Sequence, residues 1–297
     1  MAVKRLRPKN DFIFQRLFGE RETKESLISL LNAILRLEDH RRIVDLTVVE
    51  KNKELLKELV TDKTGRLDIR AETLDQVQIN IEVQLIDRQN MIKRTLFYLG
   101  KMYVESIKSG GKYENLKKTI TINLLEFNLF DFERFHSTYH FYEDHEQRFM
   151  MTDVFEVHMI ECPKFAAAHK NLQDPLHRWL LFLDDRLPEN QLEELIRMDP
   201  VIQKTEARLE WLSGDEETLR LYEAREFSRI EHDSLMAEAE AKGLKKGIEK
   251  GIEQGIEQGI EKGIEKVALS MLSKGFAPSL IAEMTGLSEE EIARLGG

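Results

Sequence analysis

The chain reads as a mixed α/β or α+β domain followed by a helical C-terminal extension. Three observations carry that reading. Helical and strand periodicities alternate through the first half of the sequence. From Asp174 to Ala241 every pattern is helical, with Pro188 and Pro200 as punctuation. Beyond that, glycine recurs at every fourth residue from Gly243 to Gly263.

The elements follow in order. "NDFIFQRLFGE" is a short helix, with Asn10 as N-cap, Asp11 in the first turn and Gly19 at the C-terminal stop. "TKESLISLLNAILRL" is a second, which Thr23 can cap; Leu27, Leu30, Leu31, Ile34 and Leu35 form its apolar face. Residues 43–52, 65–73 and 77–85 look like strands. The short link at Leu74-Asp75-Gln76 makes the last two a hairpin. Residues 90–107 form a long amphipathic helix, Gly110-Gly111 breaks the chain, and 118–127 is a strand. "FHSTYHFYE" and "VFEVHMIEC" are two more strands.

Composition narrows the function classes. With 297 residues and 41% hydrophobic side chains the chain can bury a real core. One cysteine, Cys162, rules out an internal disulfide framework and a cysteine-cluster zinc site, and fits a reducing, cytoplasmic setting. "MAVKRLRPKN" lacks the apolar stretch of a signal peptide. The longest apolar run, Trp179 to Leu183, is too short for a membrane span. The net charge of -10 argues against nonspecific coating of nucleic acid. That charge is uneven: residues 1–9 carry bases and no acid, while 189–241 hold 15 acids against 6 bases. A basic face toward DNA in the N-terminal half and a plain solvated tail both fit.

The chemistry concentrates in "INIEVQL", residues 79–85. Ile79, Ile81, Val83 and Leu85 form one face, and Asn80, Glu82 and Gln84 the other. Pairing about Asp75 puts Thr73 opposite Val77, Asp68 opposite Glu82 and Arg66 opposite Gln84. Two carboxylates directly opposed on a sheet repel. A cation between them relieves this, and two carboxylates plus a carbonyl suit Mg²⁺ or Mn²⁺. The other reading of the same residues is a polar face on which Arg66 and Arg70 neutralise Asp68 and Glu82.

"GRLDIRAET…INIEVQL" resembles the hairpin of the PD-(D/E)XK nuclease superfamily, in the branch of nuclease-family transposases or recombination-promoting nucleases (Rpn). "KNDFIFQRLFG…LISLLNAIL" and "RTLFYLGKMYVESIKSGGKYENLKKTITINLLEF" resemble the same family in the same order. The likeness covers residues 8–130 well and extends more loosely to 240. It implies a restriction-endonuclease-like core, a mixed sheet flanked by helices, with a helical C-terminal extension. It also implies Mg²⁺-dependent cleavage of DNA phosphodiesters. Asp68 and Glu82 match the metal-binding acids, Asp11 an additional helical acid, and Gln84 the position usually held by lysine. Glutamine cannot supply positive charge. Arg66, Arg88 and Lys53 are the candidate replacement cations.

Other chemistries find little support. His136 and His140 lie on a strand-like segment, where a four-residue spacing does not assemble a metal site. No phosphate-binding glycine loop and no nucleophile motif occurs.

Three segments are expected: a nuclease-like domain over 1–240, a repeat over 241–266, and a helical hairpin over 267–297. The repeat costs about 1 kcal/mol per glycine in a helix. It reads either as a helix that dimerises through residues 243–266 or as a flexible spacer. "PSLIAEMTGLSEEEIARL" resembles a helix-turn-helix. Its second helix opens Glu289-Glu290-Glu291, which repels phosphate, so packing or assembly is favoured over DNA reading. The expected function is a metal-dependent DNA endonuclease of recombination or mobile elements. The alternative is a catalytically weak or inactive nuclease-fold protein that binds DNA or partners.

Overall fold

A computed structural model of the chain describes residues 5–49, 68–146 and 148–295. It divides into two compact units, Met1–Arg229 and Ile230–Gly297.

The first unit opens with α1 (Asp11–Phe18), whose first turn is closed by Asn10: the side chain accepts from Phe12 N at 3.1 Å and Ile13 N at 3.2 Å. A Cβ at Gly19 would meet Gln15 O at 2.7 Å, so the tight end of this helix needs glycine. Thr23 does not cap α2 (Lys24–Leu35). It closes a one-turn 3₁₀ segment through a reciprocal box with Glu20. Asn32 then brackets Ile43, donating to its carbonyl at 2.9 Å and accepting from its N–H at 2.8 Å. This fixes the entry to β1 (Leu46–Val48).

The expected hairpin is β2 (Ile69–Thr73) and β3 (Gln78–Gln84). Gln76 takes a left-handed φ of 60°, Gln76 N donates to Thr73 O at 3.0 Å, and Thr73 N donates to Val77 O at 3.0 Å. Among the described residues, α3 (Met91–Glu105), β4 (Thr119–Leu125), β5 (His136–Tyr142) and β6 (Met150–Glu161) follow the hairpin. Helices α4 (Cys162–Ala167), α5 (Pro175–Leu183), α6 (Glu189–Met198) and α7 (Pro200–Gly214) follow. Pro175 and Pro200 each occupy a first helical turn behind a capping aspartate, Asp174 or Asp199.

The described strands form one mixed sheet in the order β1-β2-β3-β4-β6-β5. β1, β2 and β3 run antiparallel in sequence, β3-β4 and β4-β6 are parallel, and β5 returns antiparallel to β6. One face buries Ile79, Ile81, Val83, Ile120, Ile122 and Leu124 with residues of α1, α2 and α5, including Phe18, Leu30 and Trp179. On the other, Leu125, Val157 and Met159 meet Met91 and Leu99 of α3. Helices therefore flank the sheet on both sides, in a restriction-endonuclease-like α/β arrangement. Among the described residues no helix is long and apolar enough to cross a membrane.

Helix α8 (Glu216–Ser273) runs through the whole glycine repeat, which is therefore helical. Ile248, Ile252, Ile256 and Ile260 are exposed along it, and a Cβ at Gly247, Gly251, Gly255 or Gly259 would meet only open space. At its end, α9 (Pro278–Thr285) and α10 (Glu289–Leu295) form the expected hairpin. Gly286 turns it at a left-handed φ of 75°. Ser288 and Glu291 cap each other, and Ala268, Ile281 and Ile292 make a small core.

β5 and β6 bring His136 Nε2 to 2.8 Å from His158 Nδ1, and His158 Nε2 to 2.8 Å from Glu156. Burial, and after it the adjacent His158, push the His136 imidazole down to about 3. Protonation then favours the unfolded chain, in which the ring titrates near its ordinary value. Stability from this group is full above pH 6.5 and is lost as pH falls toward 3. Urea unfolding is expected to show a loss of about 1.4 kcal/mol per pH unit from this group below pH 6. His136→Asn should flatten that acid limb; an unchanged limb would refute the assignment.

Candidate active site

The hairpin places its polar residues on the α3 side of the sheet. Ile69 pairs with Ile81 and Arg70 with Asn80, so Asp68 lies at the end of β2 in the register that faces Glu82. Parallel pairing on the other flank sets Glu82 beside Asn123 and Asn80 beside Thr121.

This face is not the open, wet surface that the alternation implies. Asn80 and Glu82 are only 6% and 9% exposed because α3 lies over them. Met91, Thr95, Leu99 and Met102 form the buried stripe of α3, and Arg94 borders it. The Arg94 guanidinium reaches down to β3: Nη1 donates to Gln84 Oε1 at 2.8 Å and Nη2 to a Glu82 oxygen. Gln84 is held from the other side as well, its Nε2 donating to Val83 O at 3.0 Å. Nearby, Arg70 donates to Asp68 at 3.3 Å and lies 3.5 Å from Glu105 of α3.

Both carboxylates thus stand near guanidinium groups, in the manner of the charge-neutralised reading. The opposed acids of the metal-binding reading are present too, in register on one face. Among the described residues no three His, Cys, Asp or Glu side chains gather to cage a metal. Two carboxylates and main-chain carbonyl oxygen nonetheless fit a hard divalent cation that keeps most of its shell as water or phosphate oxygen. They do not fit zinc, which prefers nitrogen and sulfur.

Asp11 is paired with an arginine of another helix. Its carboxylate accepts from Arg225 Nε at 3.1 Å and from Phe12 N at 2.9 Å. That pair ties α1 to the start of α8. Of the candidate replacement cations, Lys53 and Arg66 lie outside the described residues, and Arg88 is exposed. Arg94 was not among them. It sits ten residues beyond Gln84 on another element, and its helical phase beside the buried positions 91, 95, 99 and 102 is the signal that marks it. His136 and His140 lie on β5, and neither is near this site's register.

Residues 8–239 match the family described as PD-(D/E)XK nuclease family transposase. That span is most of the chain, and the chain belongs to this family. Residues 262–297 match the C-terminal HTH domain of the Rpn/YhgA-like nuclease family, which places the chain in the Rpn branch. No curated protein and no solved structure gives a match.

The Asp11–Arg225 pair carries its own expectation. Asp11→Asn removes the charge from a partly buried pair and should lower unfolding free energy by about 1–3 kcal/mol. Denaturant titration beside wild type measures this; an unchanged midpoint would show that the pair contributes nothing.

Proposed function

We propose that the chain is a divalent-metal-dependent DNA endonuclease, acting by hydrolysis in recombination or on mobile elements. The observation that carries this reading is the β2–β3 register, which sets Asp68 and Glu82 on one face with Gln84 two residues on. Asp68 and Glu82 would hold Mg²⁺, or Mn²⁺ in its place. When bound, such an ion lowers the pKa of water and neutralises charge building on a phosphate. Gln84, fixed at both ends of its amide, orients groups beside the carboxylates. The reaction forms a bond from water oxygen to phosphorus as the bond to the leaving sugar oxygen breaks; the water gives up a proton and the leaving oxygen gains one. Family membership supports nuclease chemistry and DNA as partner. A reducing cytoplasmic setting suits the lone Cys162, whose thiol burial pushes strongly upward, away from reactivity.

Purified full-length protein should cut or nick plasmid DNA with Mg²⁺ or Mn²⁺, and Asp68→Ala should slow this on the order of 100-fold. Equal trace activity in the two proteins would end the proposal and leave a nuclease-fold binding protein.

We also infer a homodimer through residues 243–266. An exposed isoleucine row on a helix with a glycine in every turn is costly when solitary. Deleting residues 243–266 should halve the mass in light scattering. A wild-type monomer, or an unchanged oligomer after deletion, would contradict this.

A further inference from the structure

The proposed site lacks the cation that a lysine at residue 84 would bring. Several described basic residues near it are committed to other acids. Arg70 serves Asp68 and Glu105, and Lys117 lies 2.6 Å from Glu72. Arg94 is different in kind. One guanidinium bridges Glu82 and Gln84, the two residues of β3 that the chemistry would use. It is largely buried, at 17% side-chain exposure, and its Nε is buried without a hydrogen-bond partner. A guanidinium is planar, permanently charged and presents several donors in a fixed fork.

We propose that Arg94 supplies the positive charge that Gln84 lacks, with Gln84 as the bracket that positions it beside Glu82. This rests on the hydrolytic reading given above. Gln84 accepts from Arg94 and donates to Val83 O, so its amide joins the guanidinium to the backbone of β3. A divalent cation on Glu82 would compete with Arg94 for the same single negative charge. When a cation takes Glu82, Gln84 retains Nη1, and Nη2 is released toward the same oxygen-rich space. There it meets a phosphate oxygen as negative charge builds on it. With no cation bound, the same guanidinium keeps a buried carboxylate compensated. Arg94 is thus a positioning and charge-supplying residue, and a competitor of the metal in the free protein.

That double part makes the test discriminating, because two readouts move in opposite directions. Arg94→Ala should slow Mg²⁺-dependent DNA cleavage on the order of 10²-fold or more. The same variant should bind Mn²⁺ several-fold more tightly without DNA, measured by calorimetry on the full chain. Arg94→Lys, which keeps charge but not the fork, should fall between. Gln84→Lys placed in the Arg94→Ala background should restore cleavage at least tenfold, and thermal melts verify that each variant is folded. Wild-type-like cleavage by Arg94→Ala, with Asp68→Ala still dead, overturns the inference and leaves the nuclease reading standing. Joint loss of cleavage and Mn²⁺ affinity, without rescue by Gln84→Lys, shows a merely structural arginine and also overturns it. No metal-dependent cleavage by wild type removes the nuclease reading, and this inference falls with it.

Discussion

The three-residue turn at Leu74-Asp75-Gln76 controls what the sheet can do. Side chains alternate strictly across a strand, so a one-residue slip would carry every residue of β2 to the opposite face. The turn admits one register because Gln76 adopts a left-handed φ and Thr73 closes the loop twice, through its backbone to Val77 O and its hydroxyl to Val77 N. In that register Ile69 and Ala71 join Ile79 and Ile81 in the core, while Asp68, Arg70 and Glu72 join Asn80 and Glu82 on the other side. Burial of the isoleucines and placement of the acids are one constraint. The apolar face, worth about 1.5–3 kcal/mol per fully buried isoleucine, holds two repelling carboxylates where they are.

The layer between the sheet and α3 is unusual for an interior. It contains Glu82, Asn80, Thr121, Asn123, Thr95 and Arg94, and its apolar packing is confined to the β4–β6 side. Asn80 Oδ1 and Thr121 Oγ1, in-register neighbours, are buried without hydrogen-bond partners. Unsatisfied buried groups cost about 1–3 kcal/mol each. A layer built only for stability would be apolar, as the opposite face of the same strands is. Strain and polarity of this sort concentrate where a fold keeps groups for chemistry.

Much of this was legible in the sequence, and the gaps have physical causes. The hairpin register could be read because a short loop leaves few ways to close. The helices announced themselves through Asn10, Pro200 and Gly286, residues whose local chemistry fixes ends. Thr23 misled because it sits where a helix cap is expected, while Glu20, three residues earlier, recruits it into a separate turn. The burial of Glu82 was not legible, since alternation shows which residues share a face and says nothing of what covers it. Arg94 was missed for that reason: its partners lie 10 and 12 positions away across an element boundary. The Asp11–Arg225 pair was not legible either, because its partners lie 214 residues apart in sequence.

Charge decides how a chain at -10 can meet a polyanion at all. Long-range attraction is unavailable, so contact must rely on local basic groups within a Debye length of about 8 Å. Helix α3 supplies them next to the site: Lys93 and Lys101 are exposed on it, and Lys108 follows it. Helix α10 opens with three glutamates and offers the opposite field. On the hydrolytic reading, a phosphate backbone approaching Glu82 and Asp68 would meet the positive charge of Lys93 on the outer side of α3, with Arg94 on the inner side of the same helix. On that reading one helix would serve both surfaces, steering at its exterior while it compensates Glu82 at its interior.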